Sequence, residues 1–156
     1  MEKNDHDILW DIIAFDDLSL RQLFDIYQLR TEIFVVEQEC AYQEVDEKDL
    51  KAMHVVGYTN DQELAAVARI LPPGLSYPDA SFGRVGVSKK HRKRGLAHQM
   101  TRQMISFIED NFANSDIRIS AQCYLIDFYK KHAFKISSEE YDEDGIPHIE
   151  MIRSSN

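Results

Sequence analysis

Apolar and polar positions along this 156-residue chain change period several times, and each change marks an element. Ile8 to Phe15 mixes apolar and acidic positions as a half-buried strand does, and Asp16-Asp17 then turns the chain. Ser19 followed three residues later by Gln22 is a capping-box pattern and predicts a helix start. Leu20, Leu23, Phe24, Tyr27, Ile33 and Phe34 supply its broad apolar face, and it ends around Val36 to Glu39. Gln38 to Ala52 is polar and acidic and has no strong period, so it reads as a loop or short helix. His54–Tyr58 and Leu64–Leu71, joined through Asn60-Asp61, read as an antiparallel pair that Pro72-Pro73-Gly74 closes abruptly.

Tyr77 to Ser81 is a loop leading to a short apolar run, Val85-Gly86-Val87, that reads as a buried strand. Gly86 there permits another chain or a ligand to approach the backbone closely. A helix follows from residue 95 to about 110, with Leu96, Ala97, Met100, Met104, Phe107 and Ile108 on one face. Ile117–Ala121 is a strand, Tyr124–His132 a helix, and Phe134–Ser137 a strand start. Tyr141–Gly145 is an acidic turn, and Ile146–Ile152 is the last strand. The order β-α-loop-β-β-β-α-β-α-β-β is a mixed α/β pattern. With no repeat, low-complexity tract or linker, residues 1–156 read as a single domain.

Composition narrows the class. Apolar residues at 44% and charged residues at 29% describe a globular chain, not a disordered one. No apolar run is long enough to cross a membrane, and the polar, acidic start lacks a secretory signal's basic and apolar sections. Cys40 and Cys123 allow at most one disulfide and are expected to be reduced thiols in the cytoplasm, with Cys123 buried. A net charge of −9 argues against general nucleic-acid binding and is compatible with a cationic substrate. The six histidines show no metal-ligand spacing, so no metal is expected.

The chemistry gathers between the strand at 85–87 and the helix from 95. A strand that hands over to a helix N-terminus leaves N–H groups unpaired and adds the positive end of the helix dipole, which together favour an anion. Gly95 and Ala97 are small enough for a pyrophosphate to lie almost against the backbone. An ordinary basic βα turn is the alternative. Arg92-x-x-Gly95-x-Ala97 resembles the acyl-CoA-binding signature of the GNAT N-acetyltransferase superfamily. It lacks the Gly-Lys-Ser/Thr of a P-loop and the three spaced glycines of a dinucleotide fingerprint.

Downstream, Gln122, Tyr129 and Phe134 match a second GNAT pattern: a polar amide residue, a tyrosine seven positions on, then a Gly-Phe pair. Ala133 departs from the usual glycine. Leu29-Arg30 through Gln38, Tyr42 to Asp46, Gly83-Arg84-Val85 and Gly145-Ile146-Pro147-His148 resemble the ElaA-like branch, so the likeness covers most of residues 10 to 152.

The resemblance implies a single-domain GNAT fold: a mixed central β-sheet with a splayed strand pair, flanked by helices on both faces. It implies transfer of an acyl group, acetyl by default, from coenzyme A to a primary amine by direct attack in a ternary complex. The pantetheine would lie along Val85, Gly86 and Val87 as an added strand. The pyrophosphate would sit on Arg92, Lys93, Arg94, Gly95, Leu96 and Ala97, with Gln122 and Tyr129 nearby. Tyr129 is the expected general acid toward the leaving thiolate. Some GNAT enzymes carry a basic glutamate just before the cofactor strand; that place falls near Ser81, where no carboxylate stands. Glu37, Glu44, Asp46, His54 and His148 are then the candidate bases, His148 first because its ordinary pKa of about 6.5 suits neutral operation. The carboxylates of Glu44, Asp46, Glu47, Asp49 and of Glu139 to Asp144 could border a cation's entrance.

Competing functions are a non-catalytic acyl-CoA sensor and a nucleic-acid contact through the basic run Lys89–Arg94. Overall acidity and the lack of interleaved aromatics weigh against the second. The expected partner is a small-molecule or peptide amine, with no nucleic acid, no membrane, and a possible homodimer.

Overall fold

The computed structural model, which describes residues 7–155, contains two antiparallel sheets joined by a single parallel bridge. In the first, β1 (Leu9–Ala14), β2 (Met53–Tyr58), β3 (Leu64–Leu71) and β4 (Ser81–Val87) pair in chain order. In the second, β5 (Ile117–Gln122), β6 (Lys135–Ile136) and β7 (Tyr141–Glu143) all pair with β8 (Ile146–Arg153). Ala80 bridges to Ile117, and the Arg118 N–H donates to the Ala80 carbonyl at 2.9 Å. The sheet's two halves thus part at the fourth and fifth strands, as the resemblance implied.

Helices cover both faces. α1 (Leu20–Arg30) carries the predicted capping box, with the Ser19 hydroxyl accepting from the Gln22 N–H and the Gln22 side chain accepting from the Ser19 N–H. The helix continues in wider, π-type turns over Thr31–Glu37. Its packed face is the predicted one at Ile33 and Phe34 and differs nearer the helix start. Ile26, Leu29, Ile33 and Phe34 are buried against Val56, Leu64 and Val67, whereas Leu20 and Phe24 are exposed. Ile26 and Leu29 lie about 60° apart at 100° per residue, and Ile33 and Phe34 in the wider turns join the same buried cluster.

α2 (Leu96–Asn111) lies on the opposite face. Met100, Met104, Ile105 and Ile108 join Val55, Ala66, Ala68 and Ile70 of the first sheet and Ile119, Ala121, Ile149 and Met151 of the second in one core. That shared core holds the halves together where the ladder does not. β3, covered on both sides, is buried throughout, which explains a run that is apolar except at Arg69.

Two predicted elements are drawn differently. Tyr124–His132 is a tight turn at Cys123–Leu125 followed by the short helix α3 (Ile126–Lys130). The acidic turn at Tyr141–Gly145 is a hairpin: β7 pairs with β8 through Asp144-Gly145, both at positive φ (52° and 82°), as a two-residue type I′ turn requires.

The acidic segment after α1 is tied down by ions, with a short turn of 3-10 helix at Glu47–Leu50. Arg30, 1% exposed, donates from Nε to Glu44 at 2.7 Å and from Nη1 to Asp49 at 2.7 Å. Arg69 donates from one Nη1 to Asp46 at 2.6 Å and Asp49 at 2.9 Å, and Arg84 Nε lies 2.9 Å from Glu44. Burial alone would raise the Asp49 carboxyl, but its bonds to Arg30 and the charges of Arg30 and Arg69 outweigh that and hold it below its ordinary value. Its stabilising contribution is therefore complete above about pH 4 and falls away as pH drops through the lowered folded value. Asp49→Ala leaves two guanidiniums buried and under-paired, so urea unfolding should register a loss of about 3–5 kcal/mol. Glu109→Ala, which breaks the more exposed Arg153–Glu109 pair, should cost under about 1 kcal/mol in the same assay.

Candidate active site

The site follows from the parting of β4 and β5. β4 places Arg84 and Val85 opposite Ala68, a bulge marked by the positive φ (52°) of Arg84. A bulge bends and twists its strand, and here it lies where β4 leaves the second sheet. The cleft so opened has an apolar half and a polar half. Ile33, Gln38, Val85, Tyr124, Leu125 and Tyr129 border both.

The apolar half runs from Val85–Val87 to the start of α2 and is lined also by Arg92, Lys93, Gly95, Leu96, Ala97 and Phe128. Gly95 caps α2 at φ 73° without a side-chain acceptor, and Lys93 is left-handed at φ 64°. Among the described residues, the N–H groups of Lys93, Gly95, Leu96, Ala97 and His98 meet no acceptor. A Cβ on Gly95 would meet nothing within 4 Å, so the backbone there is open. Unpaired donors on an open backbone at a 16-residue helix start suit a diphosphate.

Gly86 makes room for α1's extension, since a Cβ would stand 2.7 Å from Ile33 Cδ1, while its backbone borders the cleft. The Arg92 guanidinium is engaged within the chain: Nε donates to the Val87 carbonyl at 3.0 Å and Nη2 to Glu37 at 2.9 Å, clasping the end of β4 to the end of the π-type turns. Arg94 Nη1 lies 2.8 Å from His91 Nδ1.

The polar half is built by strand alternation. In β5 and β8, Ile119, Ala121, Ile149 and Met151 face the core. Ser120 and Gln122, with their partners Glu150 and His148, therefore face the other way. The type I′ hairpin sets Tyr141 opposite His148 and Glu143 opposite Ile146, on that same face. His148 is buried. Its Nδ1 donates to the Ile146 carbonyl at 2.7 Å, and its Nε2 lies 3.1 Å from Glu143 Oε2. Tyr141 stacks on its ring at 6.2 Å, and the Tyr141 hydroxyl bonds the Ser120 hydroxyl. Gln38 Nε2 donates to Gln122 Oε1 at 3.3 Å, spanning from the helical side of the cleft to β5.

Tyr129 stands where the halves meet. Its ring is buried edge-on to Phe128 and Phe134 and tilted against Phe82. Burial, with a smaller contribution from Tyr124, pushes its phenol well above the ordinary value. The turn that fixes it is a Schellman motif: the Phe134 N–H donates to the Tyr129 carbonyl at 3.2 Å and the Ala133 N–H to the Lys130 carbonyl at 3.1 Å. Ala133 takes the left-handed position at φ 65°, so the geometry survives without the glycine.

The other base candidates are occupied. Glu37 pairs with Arg92, Glu44 with Arg30 and Arg84, and Asp46 with Arg69. Asp46, though burial raises it, is held low by Arg69. His54 is buried with Nε2 2.8 Å from the Asp49 carbonyl, and burial pushes it down. Asp49 and Glu44 are buried in the ion cluster and cannot border an entrance, whereas Asp46, Glu143 and Asp144 do line the polar half. Cys123 is half-buried, not buried, and Cys40 donates to the Asp144 carbonyl at 3.4 Å; both are free thiols. Among the described residues, no His, Cys, Asp or Glu group has metal-ligand geometry, and no helix is long and apolar enough to cross a membrane.

Sequence reading missed Glu143 as the neighbour of His148. Asp144-Gly145 between Tyr-Asp-Glu and Ile-Pro-His was the available signal, because a two-residue hairpin loop sets that register.

Residues 22–155 match the acetyltransferase (GNAT) domain family. A UPF0039 protein of Synechocystis is 40% identical over 146 residues, covering 94% of this chain and 95% of the relative. The ElaA protein of Escherichia coli is 37% identical over 148 residues, covering 94% and 96%. Its crystal structure superposes with a TM-score of 0.88 at 36% identity, over 95% of this chain and all of that one. An acyl-CoA N-acyltransferase from Pseudomonas aeruginosa superposes with a TM-score of 0.90 at 37% identity, over 95% and 100%. The chain belongs to the GNAT acetyltransferase family, in its ElaA-like branch.

The left-handed alanine carries a cost that glycine would relieve. Ala133→Gly should raise stability by about 1 kcal/mol in urea unfolding, because an L residue in this region costs roughly 1–2 kcal/mol and glycine returns part of that as chain entropy. An equal or lower stability would mean that the turn is not left-handed.

Proposed function

We propose that this protein is an N-acetyltransferase that moves an acetyl group from acetyl-CoA to a primary amine within one ternary complex. The observation that carries this reading is the continuous cleft through the β4–β5 splay, with unpaired helix amides at one end, the polar His148 pocket at the other and Tyr129 bordering both. The pantetheine lies along Val85, Gly86 and Val87, the pyrophosphate on the amides of residues 92–97, and Gln122 near the thioester. The acceptor enters past Asp46, Glu143 and Asp144. With no membrane-spanning helix among the described residues, a cytoplasmic protein acting on a small-molecule or peptide amine fits best.

A lysine-like amine has a pKa of about 10.4, so freeing its lone pair near pH 7 costs about 4.6 kcal/mol. His148 is the base. Its Nδ1–H is fixed on the Ile146 carbonyl, which leaves Nε2 as the accepting atom. The neutral amine attacks the thioester carbonyl, and the C–S bond breaks as the amide forms. Tyr129 donates a hydrogen bond to the sulfur as its charge develops. A phenol raised above its ordinary value cannot complete the transfer to a thiolate of pKa about 8.5 alone. It therefore passes on a proton as it regains one from the acylated nitrogen, which is far more acidic.

Thermal unfolding with acetyl-CoA, CoA or NAD is the first test. A ligand at 100 times its dissociation constant should add about 2.7 kcal/mol of stability, for both CoA species and not for NAD. With an amine that turns over, Tyr129→Phe should lower kcat by about 10- to 100-fold and leave acetyl-CoA stabilisation intact. No stabilisation by millimolar acetyl-CoA would overturn the reading. Stabilisation without turnover over a broad amine screen would make the protein an acyl-CoA sensor.

A further inference from the structure

α1 carries an apolar stripe that the fold leaves uncovered. Leu20, Phe24 and Tyr27 lie within about 60° of one another at 100° per residue, and Thr31 continues the line past the helix end. Leu20 is 87% exposed and Phe24 57%, and with Leu23, Gln28 and Glu32 these side chains line a shallow groove. A contiguous apolar strip so exposed, and bordered by charge, is the character of an interaction surface. The core needs none of it, because Ile26, Leu29, Ile33 and Phe34 already fill the opposite side.

The charges beside the stripe point to what covers it. Arg21 and Gln28 lie on one flank, and Glu32 follows Gln28 by four residues, so a cation and an anion stand on the same flank at opposite ends. Both are exposed, and among the described residues neither side chain has a hydrogen bond or an ion pair. Asp25, on that flank, is taken by the Tyr58 hydroxyl at 3.0 Å. We infer that the stripe is the seam of a dimer in which α1 of a second copy lies antiparallel across it. A two-fold axis at right angles to the helix brings each flank against the same flank of the other copy. Centred between Phe24 and Tyr27, that axis sets Leu20 against Thr31, and Phe24 against Tyr27, of the second copy. Arg21 then meets Glu32 of the second copy to within about 3 Å along the axis at 1.5 Å per residue, and symmetry makes the pair twice.

Other occupants fit less well. A parallel copy sets each flank against the opposite one and leaves Arg21 and Glu32 without partners. An anionic membrane calls for several cations along the polar border, whereas Arg21 is the one exposed cation of residues 19–32 and the chain carries a net charge of −9. The contact is small. α1 is about 17 Å long at 1.5 Å per residue, and one pair of such helices covers less than the roughly 1,200–2,000 Å² of a stable specific interface. The dimer is therefore reversible, with a Kd of about 10–300 μM. The inference does not depend on what the cleft binds.

The test is sedimentation equilibrium of the full chain at low salt, from about 10 μM to about 1 mM. The weight-average mass should rise from 18.1 kDa toward twice that value. Phe24→Ser, at an exposed position, should keep the wild-type urea midpoint and hold the mass at 18.1 kDa. The charge pairs supply the deciding arm. Arg21→Glu and Glu32→Arg each put like charges into both pairs, and each should weaken self-association by about 10-fold or more. Mixed in equal amounts, the two variants regain both opposite-charge pairs and should form heterodimers at close to wild-type strength. A wild-type chain still monomeric at about 1 mM, association that survives Phe24→Ser, or no gain on mixing the two charge variants would each overturn the proposal.

Discussion

The ladder between β4 and β5 stops after a single bridge, and the cleft depends on that stop. Two strands that part leave backbone groups unpaired, which is costly unless something else holds the walls apart and in place. Here the core beneath α2 spans both sheets, so the halves stay joined through Met100, Met104 and Ile108 while their edges diverge above. The bulge at Arg84 turns β4 away, and the buried rings of Phe82, Tyr129 and Phe134 pack at the cleft's base. The apolar interior keeps the molecule together so that the sheet can be open on one side.

The ion cluster around Arg30 does the corresponding work for the acidic segment. Residues 43–49 have a single apolar side chain, Val45, to anchor them. Charges at this depth stabilise only when matched, and three guanidiniums meet three carboxylates here, each within hydrogen-bond range of at least one partner. The result is a rigid wall carrying no surplus charge. That leaves the cleft's electrostatics to the hairpin carrying Glu143 and Asp144, and it explains why carboxylates that looked like candidate bases in sequence are structural counter-ions.

Much of the architecture could be read from residue order. The capping box at Ser19, the largely apolar β3 and the periodic face of α2 follow from local rules, because a strand or helix records its buried face in its own spacing. The two motifs also lie where expected, one in the turn before α2 and one through α3. Less legible was which side of α1 packs. Two apolar stripes compete along that helix, and only the position of β2 and β3 selects Ile26, Leu29 and Ile33 over Leu20 and Phe24.

The sequence by itself determined the element order apart from β7, the left-handed turns at Gly95 and Gly145 and the placement of Tyr129 one Schellman turn before Phe134, since each depends on residues within a few positions of one another. It did not determine the partners of the ionisable groups. His54 and His148 are both lone histidines in strands, yet one is sealed in beside the Asp49 carbonyl and the other opens on the cleft against Glu143. Strand register and the meeting of distant segments make that difference, because the protonation and reactivity of a side chain depend on which charges and dipoles lie within a few ångströms. Those neighbours are fixed only when the chain has folded.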